Sequence, residues 1–537
     1  MKKTIKFCFL FFFLLSFIQV NAQKIDYKDE ATKENSNFYE IVKETRKQFL
    51  EKEFQSKGVA SKSLKKERKQ FERWVYAWKD KVNVDGTFPK NILDKQEYLN
   101  LLLNNSNSSA KTSSTIKPWV QIGPTVNVEQ NGYTQYPGLG RINVVAVDAN
   151  NPLIMYAGAA AGGLWKTTDG GSTWTPKTDS FAGLGVTDII IDPNNSSIIY
   201  MATGDEDAQH ISSIGVFKST DAGDTWAATG LTFSLSDNEY VRDLSFAPGS
   251  STTIFALTNN EIKKSTDRGV SWVNKPAGTY VDDNFQNIIF DPNDATKVIV
   301  SDALGGIFYS SDSGENFTEH SVYFGETAKK LKLTTSPNDT DHFYGFMQDI
   351  RDDNGNITTQ ANFIKFRFAI DDSANDKISE TTLTGVNTQG GYNQCLAVSP
   401  TNKNNIIVGG VNGWKSTDNG ATFSMLLNAY DTPSGVGFYV HPDHHHLSFI
   451  DGTTIINGHD GGVHKGAFSA TAASGGWTDL SNGLVISQPY NIAITQGING
   501  DDYMMANQDN DGFSRVLKGG TQQWVACQAG DGTATGI

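Results

Sequence analysis

Thr167-Thr-Asp169-Gly-Gly171-Ser-Thr-Trp174 is the stretch on which the reading of this chain turns, because it comes back four more times. The copies are Ser219-Thr-Asp221-Ala-Gly223-Asp-Thr-Trp226, Ser265-Thr-Asp267-Arg-Gly269-Val-Ser-Trp272, Ser310-Ser-Asp312-Ser-Gly314-Glu-Asn-Phe317 and Ser416-Thr-Asp418-Asn-Gly420-Ala-Thr-Phe423. Their aspartates stand 52, 46, 45 and 106 residues apart. The last interval is two periods, so one copy has decayed.

A second marker keeps the same period. Apolar runs close on Asp192-Pro-Asn-Asn195, Asp291-Pro-Asn-Asp294, Ser336-Pro-Asn-Asp339 and Ser399-Pro-Thr-Asn402, where Pro presets φ and Asp or Asn bonds its own turn. Each period therefore reads as strand, tight turn, strand, loop, strand, aspartate turn, strand. Such a four-stranded antiparallel unit is a blade, and blades set radially leave only short edges exposed. The fold class is all-β, a β-propeller of about eight blade modules with inner strands near residues 142, 188, 243, 287, 331, 395, 447 and 491. The count fits one large propeller, or seven blades plus the start of a second.

With these repeats in hand, the Ser/Thr-x-Asp-x-Gly-x-Thr-Trp pattern resembles the Asp box, or BNR repeat, of sialidases, sortilin-type (VPS10) receptors and xyloglucanase-type glycoside hydrolases. The stretch from Gly140 to Asp169 is most similar to the last two. The resemblance covers residues 119–537 and implies that each box lies between the third and fourth strands, away from the ligand face. Asp169, Asp221, Asp267, Asp312 and Asp418 are accordingly expected to be structural: a carboxylate in a tight turn accepts the N–H groups that the turn leaves unpaired. The resemblance also tests for an enzyme. Xyloglucanase-type sequences carry a catalytic aspartate in the loop that here reads Gly158-Ala-Ala-Ala161-Gly-Gly163, and the matching position is Ala160.

Ahead of the repeats, Met1-Lys2-Lys3, an apolar run from Phe7 to Phe17 and Val20-Asn21-Ala22 have the layout of a signal peptide over 1–22. The run is too short to span a bilayer, and no later window is long enough, so the mature chain is expected to be secreted or at the cell surface, with no transmembrane helix. Residues 23–103 read as helical: Phe71, Trp74, Val75 and Trp78 form a stripe at i, i+3, i+4 and i+7. That stripe is expected to clasp the following domain, and Ile92–Leu103 to form one more short helix. Residues 104–118 are a linker, and 119–537 the propeller, which at Gly530–Ile537 reads as opening another blade and being truncated there. Residues 23–111 hold 19 Lys/Arg against 14 Asp/Glu, whereas 112–537 hold 23 against 45. An acidic body argues against nucleic acid as a partner. Cys395 and Cys527 are too few for a disulfide scaffold.

The box turns orient the blades, so the opposite face, with the strand-two-to-three loops, should carry any site. There Thr203-Gly-Asp205-Glu206-Asp207-Ala-Gln-His210 is strongly acidic. With no basic partner visible near it, it reads first as a solvated loop; Asp205 and Asp207 are nonetheless candidate acids. Six of the nine histidines fall between His441 and His464, in His441-Pro-Asp443-His444-His445-His446 and His459-Asp460-Gly-Gly462. Both segments belong to one blade and should meet at one rim. Arg141, Glu206, His441, Asp443 and His459 are the candidate ligand-binding residues, and Asp460 a third candidate acid. No cofactor is expected; if a divalent metal binds, His441, Asp443 and Asp460 are its candidate ligands, although their spacing matches no zinc motif. Asn507-Gln-Asp509-Asn-Asp511-Gly512 imitates the start of a calcium loop, but its twelfth position is Lys518 instead of Glu, so it reads as a plain turn.

Two functions follow. A binding protein would present this face to glycan or extracellular protein ligands. A diverged glycoside hydrolase, sialidase- or xyloglucanase-like, would use the inner-face carboxylates. Ala160 removes an acid that a two-carboxylate glycosidase needs, which puts the binding protein ahead.

Overall fold

In the computed structural model, the described residues are Tyr27, most of 36–87, 123–126, and 138–528 apart from short stretches, the longest being 321–329, 429–439 and 495–502. The expected signal peptide, the helix over 92–103, the linker, His210, Asp511 and the expected blade opening at Gly530–Ile537 lie outside them. The chain divides into two compact units, residues 1–94 and 95–537.

The first unit holds two helices, Phe38–Gln55 and Lys62–Trp78. Asn37 caps the first, its Oδ1 accepting from the N–H groups of Tyr39 and Glu40. Phe71 and Leu64 pack on Phe38, Val42 and Phe49, with Trp74, Val75 and Trp78 against them, so the stripe finds cover within its own hairpin.

The second unit contains eight four-stranded antiparallel sheets, each with its strands in chain order. The first is Ile142–Val147, Met155–Ala159, Gly163–Thr167 and Thr175–Pro176. Seven inner strands neighbour one another in sequence order, and the seventh, His444–Phe449, returns to Ile142–Val147. The ring thus closes at seven blades. Its seam is apolar: Leu139, Ile142, Trp165 and Trp174 pack against Ile456, Val463, Leu480, Leu484 and Ile486. The eighth sheet, from Pro489 to Gln528, stands outside the ring with its own small core of Met505 and Phe513. Among the described residues no helix is long and apolar enough to cross a membrane.

Two side-chain devices tie blade to blade. Inner strands of neighbouring blades are latched by polar residues one blade back: Asp188 accepts from Leu244 N–H, Asp243 from Ile288 N–H and Asn287 from Leu333 N–H, each at 2.7 Å. Further out, a third-strand lysine lies over an aromatic ring on the second strand and reaches the next blade's turn. Lys166 sits over Tyr156 and donates to Ala222 O; Lys264 sits over Phe255 and donates to Ser313 O.

All five Ser/Thr-x-Asp-x-Gly segments are turns between third and fourth strands. In each, Oδ1 takes a hydroxyl proton from two residues before and the backbone N–H from four residues after, as at Asp221 with Ser219 and Thr225. The turn has two left-handed positions: Ala222 (φ 59°) precedes Gly223 (φ 90°), and Arg268, Ser313 and Asn419 repeat the pattern. The carboxylate bonds offset the cost of placing non-glycine residues there.

Candidate functional site

The position immediately before an inner strand faces the mouth of the ring. Arg141, Arg242, Lys330, Gln394 and Asp443 each occupy it, in blades one, three, five, six and seven. The loop of blade two, residues 204–214, reaches into the same mouth, and its three acids find partners there. Arg141 Nη2 lies 2.5 Å from Asp205 Oδ1. Glu206 pairs with Arg242 at 2.6 Å and with Lys330 at 2.7 Å. Asp207 pairs with Lys330 at 2.9 Å and with His445 at 2.7 Å. The loop is therefore not solvated: Asp205 is fully buried and Glu206 is 8% exposed. Burying these charges costs several kcal/mol each unless paired, so the pairing explains how an acidic loop can fold inward.

Blade seven supplies the rest. A bulge between His444 and His446 breaks the alternation of its inner strand, so three successive histidines part company. His445 turns into the mouth and bonds Asp207 and, at 2.8 Å, Asp460. Burial alone would lower its pKa; the carboxylates of Asp460 and Asp207 outweigh it and raise it to about 9. Asp460 also accepts from Tyr392 OH at 2.8 Å. Asp207 and Asp460 are held below the ordinary carboxylate range despite burial, Asp207 chiefly by Lys330 and His445, Asp460 chiefly by His445 and Arg141.

Asp443 is held the other way. Burial and the nearby charge of Asp460 push it up to about 7, although Gln389 and Asn393 both donate to its Oδ1. Its backbone is left-handed, at φ 65°, a strained state for aspartate that the surrounding structure must impose. Within one mouth there is thus a carboxyl that keeps its proton near neutrality beside carboxylates that do not.

The other sequence candidates are placed differently. His441 has Nδ1 at 3.1 Å from Pro442 O and Nε2 at 3.1 Å from Asp509 O. His459 accepts from Gly461 N–H through Nδ1, so its Nε2 donates to His464 Nδ1, 2.6 Å away. Both imidazoles are engaged and buried, which leaves His459 without a face for a ligand. The candidate metal ligands His441, Asp443 and Asp460 do not form a site: among the described residues no three His, Cys, Asp or Glu side chains are arranged to hold a metal ion. Ala160 lies in the mouth, its N–H donating to Arg141 O at 3.2 Å, and brings no acid.

One contribution escaped the sequence reading. The loop at 507–510, expected to be a plain turn, reaches from the eighth sheet onto blade seven. Asn510 donates to Asp460 O at 2.8 Å, and Asp509 O faces His441. Asp509 is also left-handed (φ 54°); burial first, then the charge of Asp460 and, less, that of Asp509 oppose ionisation of Tyr392. Its calcium-like spelling was the only signal, and it pointed to the wrong chemistry.

Fold and mouth together define a β-propeller whose ring opening is lined with paired charges and one proton-holding carboxyl. No family profile matches the chain. Xyloglucanase Xgh74A of Acetivibrio thermocellus is 29% identical over 200 residues, 34% of this chain and 23% of that protein. A xyloglucanase of Paenibacillus is 28% identical over 200 residues, 31% of this chain and 19% of that protein. The chain thus matches less than a quarter of the length of these curated relatives. Among solved structures, an ancestral GH74 enzyme superposes with a TM-score of 0.52 at 17% identity, over 75% of this chain and 56% of that one. The GH74 enzyme of Niastella koreensis gives 0.50 at 17% identity, over 76% and 68%. The structural likeness concerns the propeller fold, and the sequence relationship is to xyloglucanases.

Proposed function

We propose that this chain is a glycoside hydrolase-type propeller that cleaves a glycan at the mouth of its ring. The observation that carries the reading is the split between Asp443, protonated up to about pH 7, and the ionised carboxylates around it. Glycoside hydrolysis needs one carboxyl to protonate the leaving oxygen and one carboxylate to act on the anomeric side. Asp443 has the state required of the acid. Asp207 and Asp460 spend both oxygens on Lys330, His445 and Tyr392, so they hold fixed negative charge at the mouth beside it. The relationship to xyloglucanases supports a β-glucan-type substrate.

The test is turnover on a panel of β-glucans and xyloglucan, with Asp443→Asn alongside the unaltered chain. Release of reducing ends that the substitution abolishes supports the reading. A second reading, a non-catalytic glycan-binding face, is favoured by Ala160. Saturable binding without turnover would select it.

A further inference from the structure

Four carboxylate oxygens fix the state of one imidazole. Asp207 Oδ1 accepts from Lys330 Nζ and its Oδ2 faces His445 Nδ1. Asp460 Oδ2 accepts from Tyr392 OH and its Oδ1 faces His445 Nε2. Each acid already receives a proton from another donor on its outer oxygen, and Lys330 and Arg141 lie close enough to favour the charged form of Asp207 and Asp460 respectively. The inner oxygens therefore accept as well. Both ring nitrogens of His445 must donate, which only the imidazolium can do. The ring is fully buried, and its partners come from two blades with blade one between them: Asp207 from the loop of blade two, Asp460 from blade seven itself.

We propose that His445 is the positioning residue of this mouth, a permanent imidazolium that locks the blade-two loop to blade seven through Asp207 and Asp460. Its neighbours fit the role. Lys330 and Arg141 balance the two carboxylates, Tyr392 meets the imidazole edge-on at 4.9 Å, and His444, behind it, stays neutral with its pKa lowered to about 3 by burial. With both acids saturated by donors, neither gives nor takes a proton during a reaction, and proton transfer is left to Asp443. That last consequence rests on the hydrolase reading; the clamp does not.

The clamp is tested by nitrogen-15 NMR of the full chain labelled at histidine, with the His445 signals assigned by their loss in His445→Gln. Both ring nitrogens are expected to be protonated from pH 5.5 to 8, with slowly exchanging hydrogens. An unprotonated ring nitrogen at pH 7 overturns the proposal. In turnover, His445→Gln is expected to lower kcat about a hundredfold, the loss that misplacement of reacting groups brings, with KM little changed. It should also move the alkaline limb of the pH profile upward, because the cation that lowers Asp443 is gone. His445→Arg, which keeps the charge and more than one donor, should restore part of the rate. A rate loss with an unmoved alkaline limb would mean bulk structural damage and count against positioning. If the unaltered chain cleaves nothing on the panel, the hydrolase reading falls alone, and the NMR result still decides the clamp.

Discussion

Trp174 of the first blade donates its indole N–H to the carbonyl of Leu480 in the seventh, 2.7 Å away and 306 residues further along the chain. This bond sits in the apolar seam that closes the ring. Phe317 and Phe423 fill the equivalent place in two other blades, so Trp174→Phe should fold, losing on the order of 1 kcal/mol for the missing hydrogen bond. Trp174→Ala should cost about 3–5 kcal/mol, because it also opens a cavity against Leu480. Denaturant unfolding of both variants measures the difference; equal stability of Trp174→Ala and the unaltered chain would remove the seam from the account.

The turn aspartates make the chain acid-sensitive. Asp169, Asp221 and Asp267 are lowered to about 2, first by a side-chain hydroxyl and next by a backbone N–H, from Thr173, Thr225 and Ser271 respectively. A lowered pKa means that their stabilisation is complete above the ordinary carboxylate range and is lost as pH falls from about 4 toward 2. Asp221→Ala should lower the melting temperature at pH 7 and flatten the decline between pH 4 and 2. Glycan affinity should stay as it was, since the turn lies at the far end of the blade from the mouth.

Asp443 has the opposite sign. Its pKa is raised on folding, so ionising it costs stability as pH climbs from about 4 through 7. Asp443→Asn is expected to melt above the unaltered chain at pH 8 while losing about a hundredfold or more in turnover, the scale of a missing general acid. Thermal melts at pH 5 and pH 8 read the first effect; a variant less stable at both would contradict the raised pKa.

Lys330 is the hub of the acidic loop. Lys330→Met leaves Glu206 and Asp207 buried without their shared cation, and removing one member of a buried pair costs about 3–5 kcal/mol. The loss should shrink in the triple variant Lys330→Met, Glu206→Gln, Asp207→Asn, where no carboxylate is stranded. Chemical denaturation of the two variants gives the comparison.

The blades were legible because everything that makes them is local. A box turn is eight residues long, and its hydroxyl, carboxylate and glycine announce themselves at a fixed spacing. Ring closure was not legible to the same degree: whether the seventh inner strand meets the first depends on Ile142 touching Ile456, and no window holds both. The partners of Asp205, Glu206 and Asp207 were missed for the same reason, coming from four other blades. A pattern was nonetheless present. Arg141, Arg242 and Lys330 each stand immediately before an inner strand, so reading that one position across the repeats would have collected the cations. His445 was passed over because the bulge that re-aims its side chain depends on pairing with the next strand and has no local spelling.

The seam also has a temporal meaning. Each blade draws all four strands from one continuous stretch, so no strand is exchanged to fasten the circle, and the join between blades one and seven is made mainly by side chains. Until residues near Leu480 emerge from the ribosome, Ile142, Trp165 and Trp174 have no cover on that side. A half-made chain therefore carries a sticky flank for most of its synthesis, because the residue that accepts from Trp174 lies 306 positions further on. Whatever escorts the nascent chain has that flank to shield.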